Sequence, residues 1–375
     1  MVVILAVLLC LIPTVFRLLP FQEAFRRALT FLVISCPCAL VISVPMAFFG
    51  GIGACASQGI LFKGGNVFSP LARANTFVFD KTGTLTSGEF ELVEVVSPTM
   101  EREAFVSLVA SAEYSSNHPL ALAIKKTVSS PRVPEASYER AGYGVEATVD
   151  GVHLYVGNRR MLEEFCTTRE ISLPKDERGV LYVIREDVLI GYLRVSDNIR
   201  QGAVDAFREL RSLGVSRLAI LSGDHKESVA SVAEALSADT YEGELFPNEK
   251  FERLEPYIQN GETVVYVGDG INDTPSLARA DVGVSMGGIG QDSVLEASDL
   301  SILNDDPRKL PIAIRIARKT LAIAKENIIF AIGIKLLVLI LGTLGYATMW
   351  LAVFADVGVC VLAILNAMRT LYTKK

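Results

Sequence analysis

The sequence predicts a mixed fold: transmembrane helices joined to a water-soluble α/β domain on a parallel sheet, with an α+β module inserted into that domain. Three observations predict it. Half of the 375 residues are hydrophobic (50%) and 21% are charged, and the mean hydropathy of +0.38 is a balance that soluble domains seldom reach. The apolar residues gather at the two ends and leave a mixed middle from about Lys63 to Lys319. Within that middle, three short apolar runs each end in a small polar loop and lead into a helical pattern, the rhythm of a parallel sheet.

Four apolar stretches are expected to span a membrane: Val2 to Leu19, Ala28 to Ala56, Asn327 to Leu344, and Ala347 to Met368. Each approaches the ~20 residues that cross a hydrocarbon core. Four spans put both borders of the middle on one side. Lys63, Arg73, Arg315, Arg318, Lys319, Lys325, Arg369, Lys374 and Lys375 cluster there, which reads as the cytosolic face, although Arg17, Arg26 and Arg27 dissent. The expected organisation is two membrane helices in 1–62, the first part of the α/β domain in 63–87, and the inserted module in 88–190. The second part of the α/β domain follows in 191–319, with two more helices in 320–375. A multi-pass protein of the plasma membrane, in contact with the lipid bilayer, follows from this reading. The net charge of -6 gives no basic field, so nucleic acid is not an expected partner. Six cysteines, dispersed except for Cys36 and Cys38, do not form a disulfide framework.

The three apolar runs are Thr76–Phe79, ending in Asp80; Leu218–Leu221, ending in Ser222-Gly223-Asp224; and Val264–Val267, ending in Gly268-Asp269-Gly270. Ligands of parallel sheets gather at such carboxyl ends. Phosphorylating a carboxylate needs an exposed strand-end Asp, a magnesium ion to offset charge repulsion, and cationic and hydroxyl donors for the transferring oxygens. The flanks offer those parts: Asp80 as nucleophile, Lys81 and Thr82 beside it, Ser222 as hydroxyl donor with Asp224 next to it, Lys250 as cation, and Asp269 and Asp273 on the metal side. Any one of them alone is a common turn or helix cap; the set in this order is not.

These residues carry a resemblance. Asp80-Lys81-Thr82-Gly83-Thr84-Leu85-Thr86 resembles the phosphorylation motif of P-type ATPases, Gly268 to Pro275 resembles their hinge motif, and Ser222-Gly223-Asp224 is similar to their Thr-Gly-Asp element. The resemblance implies a haloacid-dehalogenase-like phosphorylation domain in which Asp80 becomes an aspartyl phosphate. It also implies that Asp80, the Thr82 carbonyl and Asp269 hold Mg2+. Glu113, Ser116-Asn117-His118-Pro119, Gly142-Tyr143-Gly144 and Gly157-Asn158 resemble the ATP-binding domain of the metal-transporting branch. A glycine pair admits close approach of backbone to a nucleotide.

Cys36-Pro37-Cys38 interrupts the second apolar stretch. Proline opens the helix there, and two thiolates beside the break form a soft site suited to Zn, Cd, Pb or Cu(I). Lys335 and Asp356 place charges in the last two stretches, where each costs roughly 2.5–3.5 kcal/mol. Asp356 is a candidate oxygen ligand, with Lys335 as its counter-ion. A carboxylate beside thiolates favours a borderline divalent ion over Cu(I). The pattern is similar to heavy-metal (type IB) transport ATPases of the zinc/cadmium/lead subgroup. Cys10, Cys55, Cys166 and Cys360 read as packing residues.

The family's dephosphorylating Thr-Gly-Glu actuator loop is not found in the sequence, so the chain is expected to be the C-terminal portion of a longer pump and to need its N-terminal part as a partner. A copper(I) pump and a non-catalytic metal-binding membrane fragment are the alternatives. A soluble phosphatase of the same superfamily fits less well, because Thr82 stands where its acid/base Asp belongs.

Overall fold

A computed structural model describes residues 2–35, 38–169, 171–174, 177, 179–269, 273–287, 296–343 and 348–372. Helices α1 (Val2–Val15), α2 (Phe21–Ser35) and α3 (Cys38–Ala56) open the chain. They are followed by β1 (Ile60–Phe62), α4 (Phe68–Arg73) and β2 (Thr76–Asp80). Strand β3 (Thr86–Val96) leads into the inserted module, which holds α5 (Arg102–Ala112), α6 (Pro119–Lys126), β4 (Ala136–Arg140) and β5 (Gly144–Val149). It continues with β6 (Val152–Gly157), α7 (Arg159–Phe165), β7 (Val180–Arg185) and β8 (Val188–Ile199). The first domain resumes with α8 (Ala203–Ser212), β9 (Arg217–Leu221), α9 (Lys226–Leu236), β10 (Thr240–Glu242), α10 (Pro247–Glu252) and α11 (Glu255–Gln259). It ends with β11 (Val264–Gly268), α12 (Thr274–Arg279), β12 (Val282–Met286) and β13 (Leu300–Ile302), and the chain closes with α13 (Lys309–Thr343) and α14 (Met349–Ala367).

Seven strands in the order β1-β13-β12-β11-β2-β9-β10 form the first sheet. It is parallel except at β1, which pairs antiparallel with β13. β-Branched and aromatic residues fit such strands because both faces are covered. Phe77, Phe79, Ile220, Val265 and Val267 point into a core shared with α8, α9 and the start of α13. Val78, Ala219, Leu221 and Tyr266 point to the other core, with Leu254 and Leu277. The register sets Phe79 between Ile220 and Val267. Asp80, Ser222 and Asp269 therefore emerge on one edge of the sheet.

The inserted module is an antiparallel sheet in the order β3-β8-β7-β6-β5-β4. Helices α5 and α6 cover one face through Phe105, Val109 and Ile124, and α7 covers the other through Met161 and Leu162. The units do not divide at the expected residues. β1 joins the first sheet before residue 63, because it completes an edge against β13. β8 carries the module's sheet past 190 to Ile199. α13 crosses 319 without a break, as no Gly or Pro stands between Pro311 and Gly333.

At ~1.5 Å per residue, the 35 residues of α13 run about 50 Å out of the α/β domain. Arg318 fixes its near half by donating to the carbonyls of Ala72 (3.0 Å) and Leu213 (2.8 Å). Its far half turns Ile329, Leu336, Leu337 and Ile340 outward, which suits lipid rather than water. Among the described residues, two stretches are long and apolar enough by themselves to cross a membrane, within Phe21–Ala56 and Trp350–Thr370; α1 is apolar but short.

Candidate functional site

The strand edge brings together most of the expected phosphoryl-transfer residues. Lys250, buried on α10, donates to Asp80 at 2.5 Å and to Asp273 at 2.9 Å. Asp273 precedes α12 and also accepts from the Tyr266 hydroxyl at 2.9 Å. One oxygen each of Asp80, Asp269 and Asp273 lie within 4.8 Å of one another. Burial raises the Asp80 carboxyl to about 7, the neighbouring Asp273 adds to the rise, and Lys250 opposes it. Burial and the charge of Asp273 likewise lift Asp269 to about 6. Burial pulls the Lys250 ammonium down, but Asp80 and Asp273 outweigh it and hold its affinity for the proton above normal.

Three carboxylates around one ammonium leave an excess of negative charge in a confined place. An all-oxygen donor set of this kind fits a hard divalent cation such as magnesium. Gly83 lets the chain turn away from Asp80. Its φ is +75°, and a Cβ there would collide with the Asp269 carboxylate. The site thus excludes any side chain at that position.

Lys81 and Thr82 turn sideways. Lys81 Nζ and the Thr82 hydroxyl both donate to Asp224, at 2.5 and 2.8 Å. The Ser222 hydroxyl accepts from the Asp224 amide at 3.1 Å and is itself buried. Burial would raise the Asp224 carboxyl, yet Lys81 and Thr82 hold it below the ordinary value.

A second site lies in the inserted module. A cleft of about 180 Å³ is lined by Glu113, Ser116, His118, Glu139, Gly142, Gly144 and Asn158, among others. Asn158 caps α7 and donates to the Gly142 carbonyl at 2.9 Å. Gly144 and Gly157 pair across β5 and β6, and a Cβ on Gly144 would strike the Val156 carbonyl. Gly157 therefore shapes the cleft without lining it. His118 caps α6, its Nδ1 accepting from the Leu120 amide at 3.3 Å, which leaves the proton on Nε2.

In the apolar region, Lys335 on α13 lies 3.2 Å from Asp356 on α14. Val33 packs with Val338, Ala352 and Ala355, while Ala39 and Leu40 pack with Ala331, Ile334 and Val359. The residues that bracket Cys36-Pro37-Cys38 thus meet α13 and α14 at the height of Lys335 and Asp356. Cys38 opens α3. Cys36 and the Gly270–Asn272 part of the hinge motif lie outside the described residues.

Sequence reasoning missed four residues. Tyr266 reads as one more apolar strand residue, but its hydroxyl orients Asp273. Arg200, just past β8, donates to the Gly83 carbonyl at 2.5 Å, and Asp197 accepts from the Gly88 amide at 3.0 Å. Together they fasten the turn after Asp80 and the start of β3 to the end of β8, where the module joins. Glu139 faces the cleft because alternation along β4 puts it on the α6 side. Only the last was legible, and only once β4 was placed.

Residues 74–281 match the haloacid dehalogenase-like hydrolase family. The chain belongs to that family. The expected fold class, with its phosphorylation-type domain and inserted module, is borne out. This haloacid dehalogenase-like chain is 42% identical to the cadmium, zinc and cobalt-transporting ATPase of Bacillus subtilis (strain 168), over 100% of its own length and 54% of the relative's. It is 43% identical to the zinc-transporting ATPase of Synechocystis sp. (strain ATCC 27184 / PCC 6803 / Kazusa), over 92% and 48%. Among solved structures it is similar to a zinc-transporting PIB-type ATPase in the E2.Pi state, with a TM-score of 0.86 and 33% identity over 99% of this chain and 62% of that one. The catalytic domain of the CPx-ATPase CopB-B aligns with a TM-score of 0.53 and 27% identity, over 69% and 97%. The chain spans about half the length of the curated relatives it matches.

Proposed function

We propose that this chain is the phosphoryl-accepting and cation-conducting portion of an ATP-driven exporter of a soft divalent metal ion, Zn, Cd or Pb. One observation carries the reading: a single chain joins a strand-end aspartate, held at 2.5 Å by a buried lysine among further carboxylates, to a Lys–Asp pair between two apolar helices. The first can accept a phosphoryl group; the second can exchange an ammonium for a metal ion.

ATP binds in the module's cleft, with Glu113 and His118 at the base, Gly142, Gly144 and Asn158 giving close backbone approach, and Gly157 supporting Gly144 from the neighbouring strand. Asp80 Oδ attacks the γ-phosphorus, the bond to the β-phosphate oxygen breaks, and ADP leaves. Lys250 fixes the attacking carboxylate, and Ser222, Lys81 and Thr82 supply donors at the rim, with Asp224 positioning the last two. Asp80, Asp269 and the Thr82 carbonyl would hold magnesium, with Asp273 beside them; when bound, it offsets the repulsion between carboxylate and phosphate. Cys36, Cys38 and Asp356 take the transported ion, and Lys335 neutralises Asp356 when that ion has gone. On this reading the chain crosses the plasma membrane four times, with the α/β domain and module cytosolic. The N-terminal part of a longer pump supplies dephosphorylation. The likeness to cadmium- and zinc-transporting ATPases supports the divalent reading over copper(I).

Incubation with γ-labelled ATP and magnesium should give an acid-stable, hydroxylamine-sensitive phosphoprotein that Asp80→Asn abolishes. Label that survives the substitution sinks the assignment. Zinc or cadmium binding with no phosphoprotein at all favours a non-catalytic metal-binding fragment.

A further inference from the structure

The module's cleft holds a buried carboxyl group with no cation bound to it in the described residues. We propose that Glu113 meets the purine as a neutral carboxylic acid, its hydroxyl donating to a ring nitrogen and its carbonyl accepting from the exocyclic amine, so that adenine is favoured only while the proton is held. The inference rests on the reading of the cleft as the nucleotide site.

Glu113 ends α5 and is 4% exposed, yet it lines the cleft. Every element packed around it withholds a strong counter-charge. Lys125 on α6 spends its ammonium on the carbonyls of Tyr114 (3.1 Å) and Ser116 (2.6 Å). His118, at the head of α6, uses Nδ1 as an acceptor. From β4 come Glu139, which is acidic, and Arg140, which is drawn away to Glu146 (2.7 Å) and over the Phe165 ring (4.9 Å to its centre). Strands β5 and β7 offer Val145 and Leu181. A carboxylate buried without a cation gives up its charge rather than its burial. Burial lifts Glu113 to about 7; Ser116 and Lys125 oppose the rise, and Glu139 adds to it.

Adenine presents an acceptor, N1, beside a donor, the 6-amino group. A neutral carboxylic acid presents a donor beside an acceptor and matches it. An ionised carboxylate presents two acceptors; it sets a lone pair against N1 and instead suits the adjacent N–H groups of guanine. A site with a mismatched buried polar group rejects its ligand strongly. The proton on Glu113 therefore selects the base.

Equilibrium binding of ATP and GTP to the full chain in detergent, with EDTA present to prevent phosphoryl transfer, tests this between pH 6 and pH 8. The wild-type Kd for ATP should rise about tenfold across that range, as expected for a proton lost near neutrality, and its preference for ATP over GTP should shrink. Glu113→Gln carries a permanent donor and acceptor. Its Kd for ATP should change less than about twofold across the range and fall below the wild-type value at pH 8. The triphosphate and the rest of the cleft are the same in both proteins, so the difference belongs to Glu113. A flat or tightening wild-type profile, or the same slope in Glu113→Gln, overturns the proposal; the wild-type ATP-to-GTP ratio against pH decides it should the variant not fold. Absence of ATP binding at pH 6 removes the nucleotide reading itself, and the inference with it.

Discussion

Two lysine–aspartate pairs sit in the two halves of this protein, and their settings differ. In the α/β domain, Lys250 lies 2.5 Å from Asp80 and 2.9 Å from Asp273, with side chains 8%, 8% and 2% exposed. Asp269 stands beside them. Between the apolar helices, Lys335 meets Asp356 at 3.2 Å, with side chains 18% and 14% exposed. One cation among three carboxylates leaves a deficit that a further cation can fill. One cation facing one carboxylate is balanced, so an arriving metal ion must displace the lysine and bring ligands from elsewhere. On the proposed function, the difference separates a place that retains a cation from a place that lets one pass.

Removing Lys250 should break the first setting most severely. Lys250→Met leaves Asp80 and Asp273 buried without their ammonium, and losing one partner of a buried pair costs about 3–5 kcal/mol. Phosphoprotein formation should fall by about 10²–10³-fold, the usual loss when one preorganised donor at a reacting centre is removed. Labelling at fixed ATP measures it. A variant that labels at the wild-type rate would show that Lys250 only supports the fold. Lys250→Arg should restore stability far more than labelling, because its planar fork cannot serve both carboxylates as a point charge does.

The membrane pair should respond differently. Lys335→Met or Asp356→Asn alone strands one charge among apolar helices, at roughly 2.5–3.5 kcal/mol. The double substitution should recover most of that loss in detergent melting. Balance alone explains the stability, so the recovery tests balance. Zinc-dependent labelling should stay lost in the double variant, because the proposed function also makes Asp356 a ligand. Full recovery of metal dependence would reduce the pair to a helix bridge.

How far these settings could be read from the sequence depends on distance along the chain. The strand ends of β2, β9 and β11 were legible because each apolar run stops at a polar loop, and a parallel sheet forces such ends together. The pairing of Lys335 with Asp356 was legible because few places in lipid can hold a charge. Tyr266, Arg200 and Asp197 were not. Tyr266 fits a buried strand as a hydrophobe, and only the proximity of Asp273 gives its hydroxyl a purpose. Arg200 acts on a carbonyl 117 residues away, a contact that no local pattern encodes. The unit borders were misread for a related reason. β1 and β8 belong to sheets through pairing partners distant in sequence, and α13 continues past 319 because no Gly or Pro stands between Pro311 and Gly333.

A third pair, Lys81 with Asp224, is intermediate and should matter least for stability. The Asp224 side chain is 41% exposed, so solvent screens it, and such pairs contribute about 0–1 kcal/mol. Lys81 would also keep the charge of Asp197 nearby after Asp224→Asn. The sign of the pH effect follows from the depressed carboxyl: Lys81 and Thr82 hold Asp224 below its ordinary 3.8, against the upward push of burial. A depressed folded pKa gives stability that is present above the unfolded value and is lost as pH falls through the folded one. Wild type should therefore exceed Asp224→Asn by no more than about 1 kcal/mol at pH 7, and the gap should close below about pH 4. Denaturant melts at the two pH values measure it. A gap of several kcal/mol, or one that persists in acid, would place this pair with the buried lysine of the strand edge rather than at its rim.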